Sequence, residues 1–387
     1  MKTLSNLFKE NVREYGMLIA LIVIMVYFQF ATDGTLMKPV NITNLVLQNS
    51  YIIIMALGML LVIIAGWIDL SVGSVAGFIG AVAAVIMVRY HQSVGLAFVV
   101  SLLAGALVGA FQGYWVAYVK IPAFIVTLAG MLIFKGLNLA VTKGESVGPF
   151  PETFQKLSSG FIPDYFHGET LHITTLVIGV LLSILLVYLD LQARNNQRKY
   201  NFEVTPFSFF IIKSIAITAV IMGFCYLMAS YKGLPNILVI LFILIVFYTY
   251  VTERMVIGRR IYAMGGNEKA AKLSGVNTAR LLFYSFVNMG ILAGLGGLVF
   301  AARLNSATPK AGAGMELDVI AAVYIGGASA SGGIGTVIGA VVGAFVIGVM
   351  NNGMSILGIG VEWQQVIKGM VLLLAVFFDI YSKNKNP

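Results

Sequence analysis

Asp69, Glu316, Asp318 and Glu362, with Lys135, Lys213 and Lys368, are the main ionisable residues within or beside long apolar runs of this chain. Charges at membrane depth are costly and, where they occur, mark ion pathways, proton relays or counter-ion pairs. All of these can be placed near the end of a run, where lysines snorkel and carboxylates cap helices. A proton- or sodium-driven porter normally needs carboxylates or histidines near the midplane, and none is placed there convincingly. Other chemistry is equally sparse. No G-x-x-x-x-G-K-[ST] occurs, so the chain lacks the usual phosphate cradle of an ATPase, and H-E-x-x-H is absent. Gly333-Ile334-Gly335 has the outline of a dinucleotide loop but follows no predicted strand. Three histidines and the single Cys225 exclude disulfides within one chain and leave no Cys/His zinc site. The residues read as a non-catalytic protein with no metal centre, whose energy source lies in another subunit.

The elements that must position these residues are membrane helices. Of 387 residues, 59% are hydrophobic and 11% charged, against about 45–50% apolar and about 25% charged in a soluble domain. A bilayer crossing takes about 20 apolar residues in helix, and continuous apolar runs exclude a barrel, whose strands would alternate. Candidate spans are 14–31, 44–65, 72–89, 94–118, 122–142, 171–191, 208–229, 235–252, 281–302, 314–328, 334–351 and 361–379. The runs 72–89 and 314–328 are short or glycine-rich and read as broken or re-entrant. The fold expected is all-α, a polytopic membrane bundle of about 10–12 spans in one domain, 1–387.

A net charge of +9 is compatible with nucleic acid, but here the basic residues sit between apolar runs, and membrane topology explains them better. With the N-terminus inside, the dense clusters all become cytoplasmic: Lys2, Lys9 and Arg13; Arg194, Arg198 and Lys199; Arg254 to Arg280. Both termini are then cytoplasmic, and the first run reads as an uncleaved helix. Residues 143–170 form an outer loop and 192–206 an inner one. The inner segment 258–279 is basic and helical in spacing, with Ala263, Ala270, Ala271, Leu273 and Val276 as a candidate apolar face. It suits a partner subunit or an anionic lipid surface equally well. Gly105, Gly109 and Gly113, and again Gly335, Gly339 and Gly343, stack on one helix face each and let a neighbouring backbone approach.

At this point the residues match a known pattern. Ile68-Asp69-Leu70-Ser71-Val72-Gly73-Ser74 resembles the signature after the second span of bacterial ribose, xylose and galactose ABC permeases. Gly265-Gly266-Asn267-Glu268 through Ala270-Ala271-Lys272-Leu273-Ser274-Gly275-Val276 resembles their loop that docks on the ATPase. Phe124 to Met131 and the glycine-rich stretch Ala321 to Gly335 match as well, so the resemblance runs in order from about residue 15 to 380. The added basic loop and apolar span over 190–235, with 11–17 and 146–164, is similar to the xylose and multiple-monosaccharide branch. Trp67 departs from the pattern, which leads to a smaller or polar residue there.

The resemblance implies the pore subunit of an importer in the bacterial inner membrane. Its partners would be a second permease copy in a homodimer, an ABC ATPase that binds ATP and Mg, and an external sugar-binding protein. ATPase coupling would fall on Arg259, Gly265, Gly266, Asn267, Ala270, Ala271, Ser274 and Gly275. The cargo would be a neutral pentose or hexose such as xylose, arabinose, galactose or glucose. Asn44, Gln48, Asn49, Gln112, Trp115, Asn138, Asn351 and Asn352 are candidates for the sugar path, because amides exchange hydrogen bonds with hydroxyls and rings stack on C–H faces. The same residue types also hold membrane helices together. Asp69 has two readings, a helix cap before Val72 or an acceptor for sugar hydroxyls. The competing classes are a self-sufficient secondary sugar transporter or channel, and a membrane scaffold.

Overall fold

The computed structural model describes residues 12–200, 202, 204 and 206–385. Lys2, Lys9 and Asn11 of the expected inner N-terminus lie outside them, as do Asn201, Glu203 and Thr205 of the inner loop. The described chain is all-helical: α1 (Val12–Ala31), α2 (Pro39–Ile64), α3 (Val72–Ala84, continued by a π turn Val85–Arg89), α4 (Val94–Ala117), α5 (Ala123–Thr142), α6 (Glu152–Ser159), α7 (Ile173–Lys199), α8 (Phe207–Ala229), α9 (Asn236–Glu253), α10 (Val256–Gly266), α11 (Glu268–Leu273), α12 (Thr278–Leu304), α13 (Met315–Ile325), α14 (Val337–Ile356) and α15 (Val361–Lys385). Proline opens many of them. Pro39 is the first residue of α2, and Pro122, Pro206 and Pro235 immediately precede α5, α8 and α9, where a missing N–H costs nothing.

Among the described residues, nine helices are long and apolar enough to cross a bilayer: α2, α3 with its π turn, α4, α5, α7, α8, α9, α12 and α14. Twelve runs were expected, and each is helical over much of its length; α1 and α15 stand beside these nine, and α13 has only 11 residues. At 1.5 Å per residue α13 is about 16 Å long, roughly half a hydrocarbon core. Gly326 and Gly327 end it, the latter at φ +80°, so the apolar run 314–328 is a short helix between two loops.

Burial sorts the spans into centre and rim. The apolar windows of α2, α14 and α12 are 89%, 78% and 72% buried, while that of α8 is 11% buried. The exposed rim is aliphatic and aromatic, as lipid requires. The centre is close-packed through small residues. A Cβ built at Gly105 would lie 2.5 Å from Gly290 O, and one at Gly109 would overlap Phe286 O, so α4 and α12 touch backbone to backbone. Cβ atoms at Gly339 and Gly343 would overlap the Gly326 and Ala322 carbonyls, which packs α14 on α13. Gly335, expected as the first rung of that second ladder, lies in the loop before α14, which begins at Val337.

Two breaks in the helix order meet inside the bundle. Between α2 and α3, Asp69 Oδ1 accepts from Ser71 N at 2.8 Å and from Ser71 Oγ at 2.6 Å. This Asx turn closes the break and starts α3. Between α12 and α13 the chain passes through Gly312 and Gly314. A Cβ at Gly73 would overlap Gly312 O and come within 3.1 Å of Glu316 N, so the first turns of α3 and α13 are in contact.

Candidate substrate cavity and coupling face

On α2, Gln48, Asn49 and Tyr51 face Arg303 in the last turn of α12 and Asn351 on α14. They enclose a cavity of about 190 Å³, with Phe300 on its apolar side. Asn49 is 1% exposed; its Nδ2 donates to Ala344 O at 2.7 Å, and its Oδ1 has no partner. Asn351 repeats the arrangement. Its Nδ2 donates to Asp318 Oδ2 at 3.3 Å and its Oδ1 has no partner. Asp318 is itself neutralised by Lys368 Nζ at 2.8 Å. Tyr51 meets Phe300 edge to face at 4.9 Å. Arg303 has neither a hydrogen bond nor an acidic partner among the described residues. Both amides thus spend their donors on the protein, and their Oδ1 atoms are closed off from the cavity, which leaves Gln48, Tyr51 and Arg303 as its other polar residues.

Of the residues named as path candidates, Gln48, Asn49 and Asn351 come together here, and half-buried Asn44 lies one turn before Gln48. The rest stand elsewhere. Gln112 Nε2 donates to Ser71 Oγ at 2.7 Å, forming a buried chain with Asp69. Asp69 therefore closes an Asx turn on Ser71, the N-cap residue of α3, and is not among the residues that line the cavity. Asn138 Nδ2 reaches the carbonyls of Thr308 and Pro309 at 3.3 and 3.1 Å. Asn352 and Asn41 exchange hydrogen bonds at 3.0 and 2.9 Å, tying α14 to the start of α2. Trp115 belongs to an aromatic group with Phe111, Tyr114 and Tyr118. Sequence reasoning missed Tyr51, Phe300 and Arg303. Arg303 lies within the last turn of an apolar run, where a single basic residue reads as a helix-end charge.

The segment 258–279, expected on the inner side, is two helices, not one. Asn267 is extended at φ −158°, and its side chain accepts from Ala270 N at 3.0 Å to begin α11. The apolar face expected there divides. Ile261, Met264 and Ala271 point inward, whereas Ala263 and Ala270 are exposed and Leu273 is 91% exposed. Gly265 is fixed by close packing: a Cβ there would overlap Ile64 O and approach Gly333 N at 2.7 Å. Gly333 N donates to Ile64 O at 2.8 Å, and Tyr262 Oη donates to Gly335 O at 2.6 Å. Thus α10 leans on the end of α2 and on the loop joining α13 to α14. The other side, with Arg259, Gly266, Asn267, Lys269, Lys272, Ser274 and Gly275, is open.

At the opposite end, Asp164 organises the loop before α7. It accepts from Thr174 Oγ1 at 2.7 Å and from the backbone N–H groups of Thr174, Gly168, Ile173 and Phe166 at 3.0 to 3.3 Å. Desolvation pushes its carboxyl up, but these hydrogen bonds outweigh it and hold the group well below the usual carboxylate range.

A bundle of lipid-facing spans around a small polar cavity, with a basic helical hairpin exposed at one end, defines a multi-pass membrane transport subunit. The profile of the family described as branched-chain amino acid transport system, permease component, matches residues 41–189 and 157–376. The chain is 38% identical over 384 residues to the xylose transport system permease protein XylH of Escherichia coli K12, covering 99% of this chain and 95% of that one. It is also 38% identical over 375 residues to XylH of Haemophilus influenzae, covering 97% and 98%. To the ribose import permease protein RbsC of E. coli K12 it is 34% identical over 339 residues, covering 88% and 85%. No solved structure matches significantly. The chain belongs to this permease family, as an ABC importer subunit of the ribose/xylose type that serves monosaccharide transport.

Proposed function

We propose that this chain forms the translocation path for neutral pentoses and hexoses, with xylose first among them and arabinose, galactose and glucose as further cargo. It works in the inner membrane as a homodimer, with both termini cytoplasmic. A separate ATPase binds ATP and Mg and docks on α10 and α11, while a sugar-binding protein delivers cargo to the outer loops. The near full-length similarity to the xylose permeases carries this reading. Two features of the chain support it. Exposed Leu273, ringed by Lys269 and Lys272, offers an apolar knob with a basic rim to a partner. The cavity is lined by polar Gln48, Tyr51 and Arg303 beside Phe300, which suits hydroxyl groups.

The experiment is uptake of labelled xylose into vesicles holding the permease, its ATPase and the binding protein. ATP-dependent accumulation that needs all three components is the expected result. Uptake without ATP or partners would instead make the chain a self-sufficient secondary transporter. ATP-driven uptake of leucine and not of xylose would move it to the amino-acid side of its family.

A further inference from the structure

A second hollow lies on the flank of the bundle and shares no residue with the cavity between α2, α12 and α14. Helix α4 packs on α12 and α9 packs on α2, which leaves a groove between α4 and α9. Phe98 and Val99 of α4, Leu157 of α6, and Val239 and Ile240 of α9 line it, and its volume is about 720 Å³. We propose that this groove holds an acyl chain of one phosphatidylethanolamine molecule, whose headgroup rests on Lys156 and Glu152 of α6. The inference needs only that the chain is a multi-pass membrane protein and is independent of its cargo.

Position decides between water and lipid. Helices α4 and α9 span the membrane, and their apolar windows are only 28% and 22% buried. Val99 and Val239 are exposed on them, so this side of the bundle faces the bilayer. An apolar hollow has no polar partners to hold water, and the apolar filler at hand in a bilayer is a lipid tail. The groove falls within the roughly 300–1,000 Å³ of sites that take a whole small molecule. Gly95 keeps it open, since nothing lies within 4 Å of a Cβ built there.

Helix α6 marks the level of the headgroups. Phe154 and Ser158 form its buried face, while Glu152, Thr153 and Lys156 are exposed. That is the pattern of a helix lying in the membrane interface. It packs on α12 and α9, and Asn236 Nδ2 of α9 donates to Lys156 O at 3.0 Å. Thr153, Lys156 and Asn236 all border the groove. Its polar groups thus gather at the α6 end, and the remainder is apolar, as a lipid is.

Charge selects the headgroup. Lys156 Nζ lies 2.8 Å from Glu152 Oε1, and both side chains are well exposed. The complement of this pair is a headgroup with a phosphate and an ammonium close together. The lysine donates to the phosphate, and the ammonium donates to the carboxylate. The anionic headgroup of phosphatidylglycerol would satisfy Lys156 but be repelled by Glu152. The quaternary nitrogen of choline has no N–H to give.

The test is native mass spectrometry of the full chain extracted from vesicles holding equal phosphatidylethanolamine and phosphatidylglycerol. A phosphatidylethanolamine with a photoreactive tail, activated after extraction, reads position. One phosphatidylethanolamine per chain is expected to survive extraction and to cross-link to Phe98, Val99 or Val239. Gly95→Phe, which puts a ring into open space in the groove, is expected to remove both signals. Gly136→Phe, where space is equally open but outside the groove, is expected to keep both. Lys156→Gln is expected to weaken retention by up to about fivefold, the range of an exposed ion pair. No retained lipid in the parent, or equal retention in the parent and Gly95→Phe, would overturn the site. Preferred retention of phosphatidylglycerol would overturn the headgroup assignment. A disulfide in the membrane between two chains carrying Val99→Cys would give the groove to a second copy of the protein instead.

Discussion

Gly105→Ala tests whether α4 and α12 are held by direct backbone contact. The new methyl carbon would lie 2.5 Å from Gly290 O, 3.2 Å from Gly290 C and 3.6 Å from Gly294 Cα. Ordinary contact begins at 3.4 Å, so α4 must retreat by 0.9 Å along this line. No flexible side chain stands in the way to yield, because all three neighbours are backbone. Retreat would also loosen Gly109 against Phe286 and Gly113 against the Phe286 side chain. Overpacking of this kind costs about 1–3 kcal/mol, against about 1 kcal/mol that alanine gains over glycine in helix propensity. A net loss of up to about 2 kcal/mol is expected. The assay is the folded, monodisperse fraction after a temperature series in mild detergent. Gly136→Ala is the control, since nothing lies within 4 Å of a Cβ there, and it should be neutral or stabilising. Equal stability of the two variants would refute backbone contact between α4 and α12.

Three further outcomes are expected. Gly266 has open space around a Cβ and Leu273 is 91% exposed, so Gly266→Glu and Leu273→Glu should leave the permease folded while separating ATP hydrolysis from uptake; normal uptake in both would remove α10 and α11 from the docking surface. In a Cys225→Ala background, cysteines at exposed Ser146 and Asn196 should react with an impermeant thiol reagent on intact cells at the first position only, whereas labelling of Asn196→Cys alone would invert the topology. The depressed carboxyl of Asp164 contributes stability that is fully present above its unfolded value of about 3.9 and is lost as pH falls through that value towards the lower folded one. Asp164→Ala should therefore make residues 160–172 open to protease at pH 7, and the parent should approach the variant only in acid; a parent loop equally protected at pH 7 and pH 3 would contradict this.

The membrane bundle was legible because lipid allows so few solutions. Runs such as 44–65 and 94–118 are too long and too uniformly apolar for anything but helix. The glycine-rich run 314–328 was legible as broken, and Gly326 and Gly327 stop α13 after 11 residues. Asn267 is a sequence-level helix start, followed by Glu268 and alanines, and reading it so would have split the inner segment correctly. The cavity was half legible. Gln48, Asn49 and Asn351 stood out as amides in apolar runs, but so did Gln112 and Asn138, which bind other parts of the protein. Only the packing of α2 against α12 and α14 separates the two groups. The same packing brings in Arg303, whose place in the cavity no local pattern announces.

The pair α7 and α8 has an unequal attachment. The end at the start of α7 is tied down: Asp164 holds the first turn of α7, His172 Nε2 lies 3.0 Å from Ile162 O, and Leu234 N donates to Thr175 Oγ1 at 3.1 Å. The other end is closed chiefly on itself, by Asp190 and Lys213 at 2.9 Å and by Arg194 over the rings of Phe207 and Phe210. Only 22% and 11% of the apolar windows of α7 and α8 are buried. Such an arm can change its tilt about the tied end. Where a bilayer is thicker or thinner than the protein, the mismatch can be absorbed there, at a cost of fractions of a kcal/mol per ångström. The three central helices that shape the cavity are then spared the strain, so the cavity keeps its dimensions across membranes of different thickness.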